Sequence, residues 1–145
     1  RTLLFAASLL ASGLVHAANC NIALKGDDAM KFDQQTVTVA ASCKTITINL
    51  THVGKLPAQS MGPNVVIAPS DAFQSIAQDG MKAGLAGNYV LASDKRVIAH
   101  TKIIGGGEKT TVSFPGKKLK AGGAYTFFCS APGHWSLMKG QLIVK

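Results

Sequence analysis

The chain has 145 residues, enough for one domain with a substantial hydrophobic core, and 47% of its residues are apolar. Lysine and arginine outnumber aspartate and glutamate by 15 to 7, which gives a net charge of +8. Only Arg1 and Arg96 are arginines, and no basic stretch is interleaved with aromatic residues, so the composition argues against a nucleic-acid partner. The excess charge fits an acidic partner, a membrane surface or simply a solvated surface.

The first segment has the features of a secretory leader. Arg1 precedes an apolar stretch over residues 3–15 that small and polar residues interrupt, and Ala17 offers a small-residue cleavage site. The stretch is too short to span a bilayer and is typical of a signal peptide over residues 1–17. We therefore expect an exported domain over residues 18–145 without stable membrane insertion.

Alternation of apolar and polar residues predicts strands along the rest of the chain. In chain order the candidates are 21–24, 36–40, 45–50, 64–68, 96–100, 110–114, 125–129 and 140–144. One segment, 71–84, instead has helical spacing of its apolar residues, with Ser70 as the predicted N-cap. Short strands separated by Gly, Pro and Asp turns predict an all-β protein, an antiparallel β-sandwich with one short inserted helix.

The chain has three cysteines, so in an exported protein at least one of them is unpaired. A disulfide between Cys20 and Cys43 would tie the first strand to its neighbour and contribute roughly 3 kcal/mol. Cys129 is then left over. A free thiol is a liability outside the cell unless it has a function, and the residues that follow Cys129 indicate one.

Cys129, His134 and Met138 follow the spacing C-x4-H-x3-M across a Pro-Gly turn. A thiolate, an imidazole and a weak thioether form the ligand set of blue-copper centres, which hold both Cu(I) and Cu(II). A nucleophile–base pair of Cys129 and His134 is the less favoured interpretation, because no orienting acid is evident and Met138 has no role in that chemistry. The motif therefore predicts a copper site.

The chain resembles the azurins, which belong to the cupredoxin family of small blue-copper electron carriers. The resemblance extends from Cys20 to Lys145. It is carried by the paired Cys20 and Cys43 and by the motifs Asn49-Leu50-Thr51-His52, Met61-Gly62, Arg96-Val97-Ile98-Ala99-His100-Thr101-Lys102, Phe127-Phe128-Cys129, Pro132-Gly133-His134 and Leu137-Met138-Lys139-Gly140. It implies a periplasmic Greek-key antiparallel β-sandwich whose function is one-electron transfer by a mononuclear type 1 copper centre. The resemblance therefore implies an electron carrier and not an enzyme.

The resemblance also implies a role for each residue of the site. Cys129 is the expected thiolate ligand, and His134 is an equatorial ligand whose outer edge reaches the surface. Met138 is a long axial contact, and the backbone carbonyl of Gly62 is the opposite one. Asn64 resembles the residue that holds the ligand loop by hydrogen bonds.

The pattern departs from the family at Pro63, where the second equatorial histidine is expected. Proline offers no side-chain donor, so the plane of two nitrogens and one sulfur is incomplete. We expect a water or an anion, rather than His52 or His100, to occupy the missing ligand position. Three explanations remain open: a natural paralogue with an altered or lost copper site, an engineered or erroneous change, or a loop in another register. A metal-free or copper-sequestering binding module is the alternative function.

Trp135 directly follows His134 and has two interpretations of equal weight. Its side chain either packs locally at the protein surface or belongs to an apolar docking patch. The other members of that patch would be Leu56, Met61, Ala131 and Pro132. Electron-transfer contacts are small and transient, which suits such a patch. The resemblance then implies redox protein partners such as cytochromes or reductases, which dock near His134.

Overall fold

The computed structural model describes residues 19–145, which form two packed β-sheets. The strands are β1 (Asn21–Gly26), β2 (Thr36–Val39), β3 (Thr45–His52), β4 (Val66–Pro69), β5 (Ala99–His100), β6 (Lys109–Pro115), β7 (Tyr125–Phe128) and β8 (Lys139–Val144). Two α-helices lie within the described residues, α1 (Ala58–Met61) and α2 (Phe73–Gly80). No helix in this part of the chain is long and apolar enough to cross a membrane. The predicted leader, residues 1–17, lies outside the described residues.

The sandwich predicted from the sequence is confirmed, but its strand pairing is mixed. One sheet has the order β1-β3-β6 and the other the order β2-β8-β7-β4-β5. The pairs β1–β3 and β2–β8 are parallel, whereas the other pairs are antiparallel. Alternation assigns a residue to a face and carries no information on strand direction, so the two parallel pairs were not predictable from it. The chain passes from β1 through β2 in the opposite sheet before it reaches β3, and such a crossover returns the chain in a parallel direction.

The core lies between the two sheets and follows the alternation in the sequence. In β1 and β3 every second residue is buried, including Leu24, Ile48 and Leu50. In β7, by contrast, all four residues are buried, because α2 covers the outer face of the larger sheet. There Phe128 packs in a second cluster with Ile76 of α2. A strand covered on both faces loses the polar half of its pattern.

The predicted helix is confirmed, but its predicted N-cap was wrong. The helix α2 begins at Phe73, and Ala72 at its N-cap makes no capping side-chain bond. The hydroxyl of Ser70 instead lies 2.8 Å from that of Thr126, and Ser70 N donates to Ala124 O at 3.0 Å. These bonds hold Ser70 against the start of β7. Ser70 therefore lies two residues before the N-cap position of α2 and does not cap that helix.

The strand directions define two ends of the sandwich. At one end, here called the Cys129 end, β3 finishes at His52 and the loop of residues 129–138 connects β7 to β8. At the other, the disulfide end, β1 and β3 begin and Cys20 is bonded to Cys43. The predicted disulfide is confirmed. Cys129 is the free cysteine of the described residues and is buried.

Candidate metal centre

The loop of residues 129–138 is closed by its own backbone hydrogen bonds. Cys129 N donates to Met138 O at 2.9 Å, and Met138 N donates to His134 O at 2.8 Å. His134 N donates to Ala131 O at 2.9 Å. Gly133 has a φ of +78°, a conformation that a glycine adopts without strain, and it allows the chain to reverse. The loop thus brings Cys129, His134 and Met138 back to one buried region.

The sulfur of Cys129 lies 3.6 Å from Nδ1 of His134. Sulfur and imidazole ligands lie about 2.3 Å and about 2.0 Å from a first-row metal ion such as zinc, so this separation fits two ligands of one ion. Met138 is 1% exposed and packs in the same cluster as Cys129, which is fully buried. The soft donor set and its geometry fit a copper ion.

Burial favours the neutral form of both groups when no cation is bound. It raises the pKa of the Cys129 thiol to about 11, although the backbone N–H groups of Asn64 and Ala131 oppose the shift. Burial also lowers the pKa of His134. A bound cation reverses this balance by favouring the thiolate, so metal binding displaces a proton from Cys129.

The helix α1 places Gly62 beside the ligand loop. Gly62 N donates to Ala58 O at 3.2 Å and ends the helix. A Cβ atom at position 62 would lie 2.6 Å from both Ala58 Cα and Ile103 Cγ2, so only glycine fits there. Gly62 and His134 also line one surface cavity of about 240 Å³. Two of the expected ligands thus lie next to the same opening to solvent.

Asn64 has the hydrogen bonds that would hold the ligand loop. Its Oδ1 accepts from Ser130 N at 2.9 Å, and its Nδ2 donates to Ser130 Oγ at 2.9 Å. The same Nδ2 donates to Asn88 O at 3.1 Å. Asn64 is fully buried, so these bonds are shielded from water. They fix the residue after Cys129 to the residue after Pro63.

Pro63 is buried next to Met138. A methyl group built on Gly26 would lie 2.9 Å from Met138 Cε and 3.0 Å from Pro63 Cγ, so both side chains adjoin Gly26. Pro63 O accepts from Ile104 N at 3.1 Å, which fixes the backbone on the other side. Asn64 is bonded to Ser130 of the ligand loop, and Gly62 lines a cavity together with His134. This arrangement favours an unshifted loop in which position 63 faces the site.

The other histidines of the described residues are held elsewhere. Nε2 of the buried His52 lies 3.0 Å from Asp28 Oδ1, and its Nδ1 has no hydrogen-bond partner. His100 Nδ1 lies 2.9 Å from Thr101 O. No group of three or more His, Cys, Asp and Glu residues that could hold a metal ion occurs within residues 19–145. The candidate centre therefore has one cysteine and one histidine, and it relies on Met138 and Gly62 for further contacts.

Sequence reasoning missed Asn88, which holds Asn64 and Ser130 by hydrogen bonds from a separate turn. Its carbonyl accepts from Asn64 Nδ2 and from Ser130 Oγ at 3.2 Å, and its Oδ1 accepts from Ile103 N at 2.9 Å. Asn88 has a φ of +56°, which asparagine tolerates better than most residues. The sequence Gly87-Asn88 signals such a turn, although it does not reveal that the turn reaches the metal site.

Trp135 packs on the larger sheet. Its ring centroid is 6.1 Å from that of Phe73 in an edge-on arrangement, and it adjoins the cluster that contains Phe128. Ala131, a second member of the predicted patch, is buried. Of the two interpretations, the structure favours local packing for Trp135.

Comparisons with known proteins agree with this geometry. The family model for copper binding proteins of the plastocyanin/azurin family matches residues 18–145. The azurins of Alcaligenes faecalis and Pseudomonas denitrificans are each 52% identical to the chain, over 123 and 128 residues. These alignments cover 85% and 88% of this chain, and 96% and 100% of the two azurins. A solved structure of the azurin Az-iso2 from Methylomonas sp. strain J matches with a TM-score of 0.84 at 44% identity, over 88% of this chain and 99% of that one.

The fold and the soft donor set define a small copper protein of the β-sandwich type. The chain belongs to the plastocyanin/azurin family of copper-binding proteins. Copper is the cofactor of this family, and azurins are electron carriers rather than enzymes. The predicted family, fold class, cofactor and non-enzymatic character are thereby confirmed.

Proposed function

We propose that this chain carries single electrons in the periplasm through a copper ion held by Cys129 and His134. The carbonyl of Gly62 and the thioether of Met138 would be weaker contacts to the ion. The observation that carries the proposal is the 3.6 Å separation of Cys129 Sγ and His134 Nδ1 in a buried cluster with Met138. Copper, when bound, supplies the change between Cu(I) and Cu(II).

The protein's own contribution is to hold the ligands in place. The hydrogen bond between Cys129 N and Met138 O fixes both ends of the loop, and Asn64 ties the loop to the β3–β4 connection. Such outer hydrogen bonds orient ligands and tune the metal. A loop held this firmly keeps nearly the same geometry in both oxidation states, which lowers the reorganisation that electron transfer requires.

Pro63 would leave one ligand position of the bound ion without a protein donor. We infer that a water, an anion or an added imidazole occupies it. The inference is supported by the contact of Pro63 with the surroundings of Met138 and by the opening of about 240 Å³ that Gly62 and His134 share. Copper binding is then weaker than with two imidazoles, and the centre responds to small ligands in solution.

Redox protein partners would meet the surface around His134. The loop carries the exposed Pro132 beside His134, and Leu56 on the neighbouring connection is 41% exposed. Small apolar surfaces of this kind suit weak, transient contacts. Trp135 is not included, because it packs on Phe73.

The alternative is a cupredoxin that stays metal-free or only sequesters copper. The absence of a histidine at position 63 is the observation that favours it. A Cu(II) titration of residues 18–145, followed by visible and EPR spectra, separates the two functions. The proposed electron carrier gives an intense thiolate-to-copper absorption band that imidazole alters and that a mild reductant bleaches reversibly. Absence of copper uptake, or uptake without reversible colour, would instead support the binding module.

A further inference from the structure

The disulfide end of the sandwich carries a cluster of lysines, here called the basic face, which consists of Lys44, Lys117, Lys118 and Lys120. All four residues are exposed. They come from two segments that are distant in sequence, and Gly116 N joins these segments by donating to Lys44 O at 2.9 Å. The basic face therefore depends on the fold and is more than a charged run in the sequence.

The segment of residues 116–120, which bears three of these lysines, is fixed by its neighbours. Residues Gly116–Lys118 form a single 3-10 turn, and the following Leu119 is 5% exposed within the core. Lys120 N donates to the hydroxyl of Tyr125 at 2.9 Å. The backbone is thus anchored at both ends of the turn while the lysine side chains project outward.

The charges of the basic face are not neutralised by ion pairs. The salt bridges of the described residues involve His52 and Arg96, and none involves these four lysines. Lys118 Nζ lies 3.4 Å from Ile98 O, a neutral group. The four positive charges of the basic face therefore have no ion-pair partner among the described residues.

We propose that the basic face docks the protein onto the anionic headgroups of a lipid bilayer. Lysine is a flexible point charge without the rigid fork with which arginine recognises a shaped carboxylate or phosphate site, so it suits a diffuse anionic surface. The exposed large apolar side chains, Val53, Leu56, Met81 and Leu137, lie outside the segments that form the face. The contact is thus electrostatic and peripheral rather than inserted.

The position of the face supports the same occupant. The described chain starts at Asn19, beside Cys20, so its first described residues also lie at the disulfide end. The eight residues of β3 separate the face from the Cys129 end by about 25 Å. A domain docked in this way presents the surface around His134 to soluble partners.

Vesicle binding tests the proposal directly. Residues 18–145, free of metal, are sedimented with vesicles of phosphatidylcholine alone or with added phosphatidylglycerol, at ionic strengths of about 0.01 M and about 0.15 M. We expect binding only to the phosphatidylglycerol vesicles, and it should weaken at the higher ionic strength. Since each lysine near an anionic bilayer contributes about fivefold in affinity, the variant Lys117→Gln/Lys118→Gln/Lys120→Gln should lose about 100-fold.

A matched variant separates the basic face from net charge alone. Lys25→Gln/Lys55→Gln/Lys102→Gln removes the same charge from exposed positions nearer the Cys129 end and should bind almost as the parent does. Far-ultraviolet spectra and thermal midpoints confirm that both variants are folded. Equal losses in the two variants, or no binding to phosphatidylglycerol vesicles at low ionic strength, would overturn the proposal. Capture of polyglutamate without vesicle binding would also overturn it, and would assign the face to an acidic protein.

Trp135 reports the orientation, because it is the single tryptophan of the chain and lies near the Cys129 end. Vesicles that contain brominated lipids quench a tryptophan close to the bilayer. With the disulfide end docked, the fluorescence of Trp135 should stay unquenched although the protein sediments with the vesicles. Strong quenching on binding would place the Cys129 end on the bilayer and contradict the proposal.

Discussion

Two loops meet at the Cys129 end, and they differ in what holds them and in what they offer a metal. The loop of residues 129–138 closes on itself by backbone bonds and provides a thiol, an imidazole and a thioether. The connection of residues 53–64 is held from outside, by Asp28 at its start and by the bonds of Asn64 at its end. It offers only the carbonyl of Gly62, because Pro63 stands where an imidazole is expected.

The comparison indicates that the scaffold of the site is retained although one ligand is absent. Gly62 still fits where any side chain would clash, and Asn64 still bonds to Ser130. The packing and the hydrogen bonds that position this connection beside the ligand loop are therefore present with a proline at position 63.

The largest effect is expected when the ligand loop loses its thiol. Cys129→Ser replaces the soft ligand by a neutral hydroxyl of similar shape, so the coloured copper species should disappear while the fold persists. Visible absorption after copper addition, with circular dichroism for the fold, measures this. Ser136→Ala, an exposed change in the same loop, is the control and should keep the colour. An unchanged absorption band in Cys129→Ser would exclude Cys129 as the ligand.

The opposite change in the other loop should strengthen the site. Pro63→His places an imidazole where the family has one, and a gain of about 10-fold to 100-fold in copper affinity is expected, since changes in outer partners alone have effects of that size. Copper titration with imidazole competition measures it, and the variant should resist imidazole. Pro57→His is a matched control, because it exchanges an exposed proline of the same connection. Equal gains in both variants would show that position 63 does not face the metal.

The hydrogen bond between Asn64 and Ser130, which joins the two loops, should contribute to the free energy of unfolding of the metal-free protein. Asn64→Ala leaves Ser130 N without its buried partner, which costs about 1 to 3 kcal/mol in the free energy of unfolding. Asn49→Ala removes an exposed bond to Thr111 and should cost about 0.5 kcal/mol or less. Urea denaturation of the metal-free proteins compares the two. If the losses are similar, the tie between the loops does not contribute as proposed.

Sequence reasoning reached the fold and the grouping of Cys129, His134 and Met138 because both depend on local signals. Alternation in β1 and β3 marks the core face, and the spacing from Cys129 to Met138 lies within one loop. The pairing direction of β1 and β3 was not predictable from those signals, since the crossover through the other sheet determines it. Position 63 was singled out by its departure from the family pattern rather than by its own chemistry.

Long-range side-chain contacts were the part that the sequence did not reveal. Asn88 reaches Asn64 across 24 positions, and Asp28 reaches Lys55 across 27. Neither residue belongs to a motif, and an isolated Asn or Asp in a turn is most often solvated. Such residues become recognisable only when the fold has brought their partners together.

The smallest expected effect concerns Asp28, which gives the connection of residues 53–64 an ionisable anchor that the ligand loop lacks. Its carboxylate accepts from Lys55 N at 2.8 Å and lies 3.0 Å from His52 Nε2. The hydrogen bond from Lys55 N is the main reason that the pKa of Asp28 lies below its ordinary value; burial opposes this shift, whereas a hydrogen bond from Leu56 N and the contact with His52 support it.

A lowered pKa means that folding favours the ionised form of Asp28. The stabilisation is therefore complete above the unfolded pKa of about 3.9 and is lost as the pH falls through the folded value. Asp28→Asn removes the charge, so parent and variant should differ in the free energy of unfolding near neutral pH, and the difference should shrink below about pH 4. Hydrogen exchange of the Lys55 and Leu56 amides should accelerate in the variant, whereas that of Cys129 N should not. A stability difference that stays constant through the acid range would show that the connection is held by the shape of the Asp28 side chain and not by its charge.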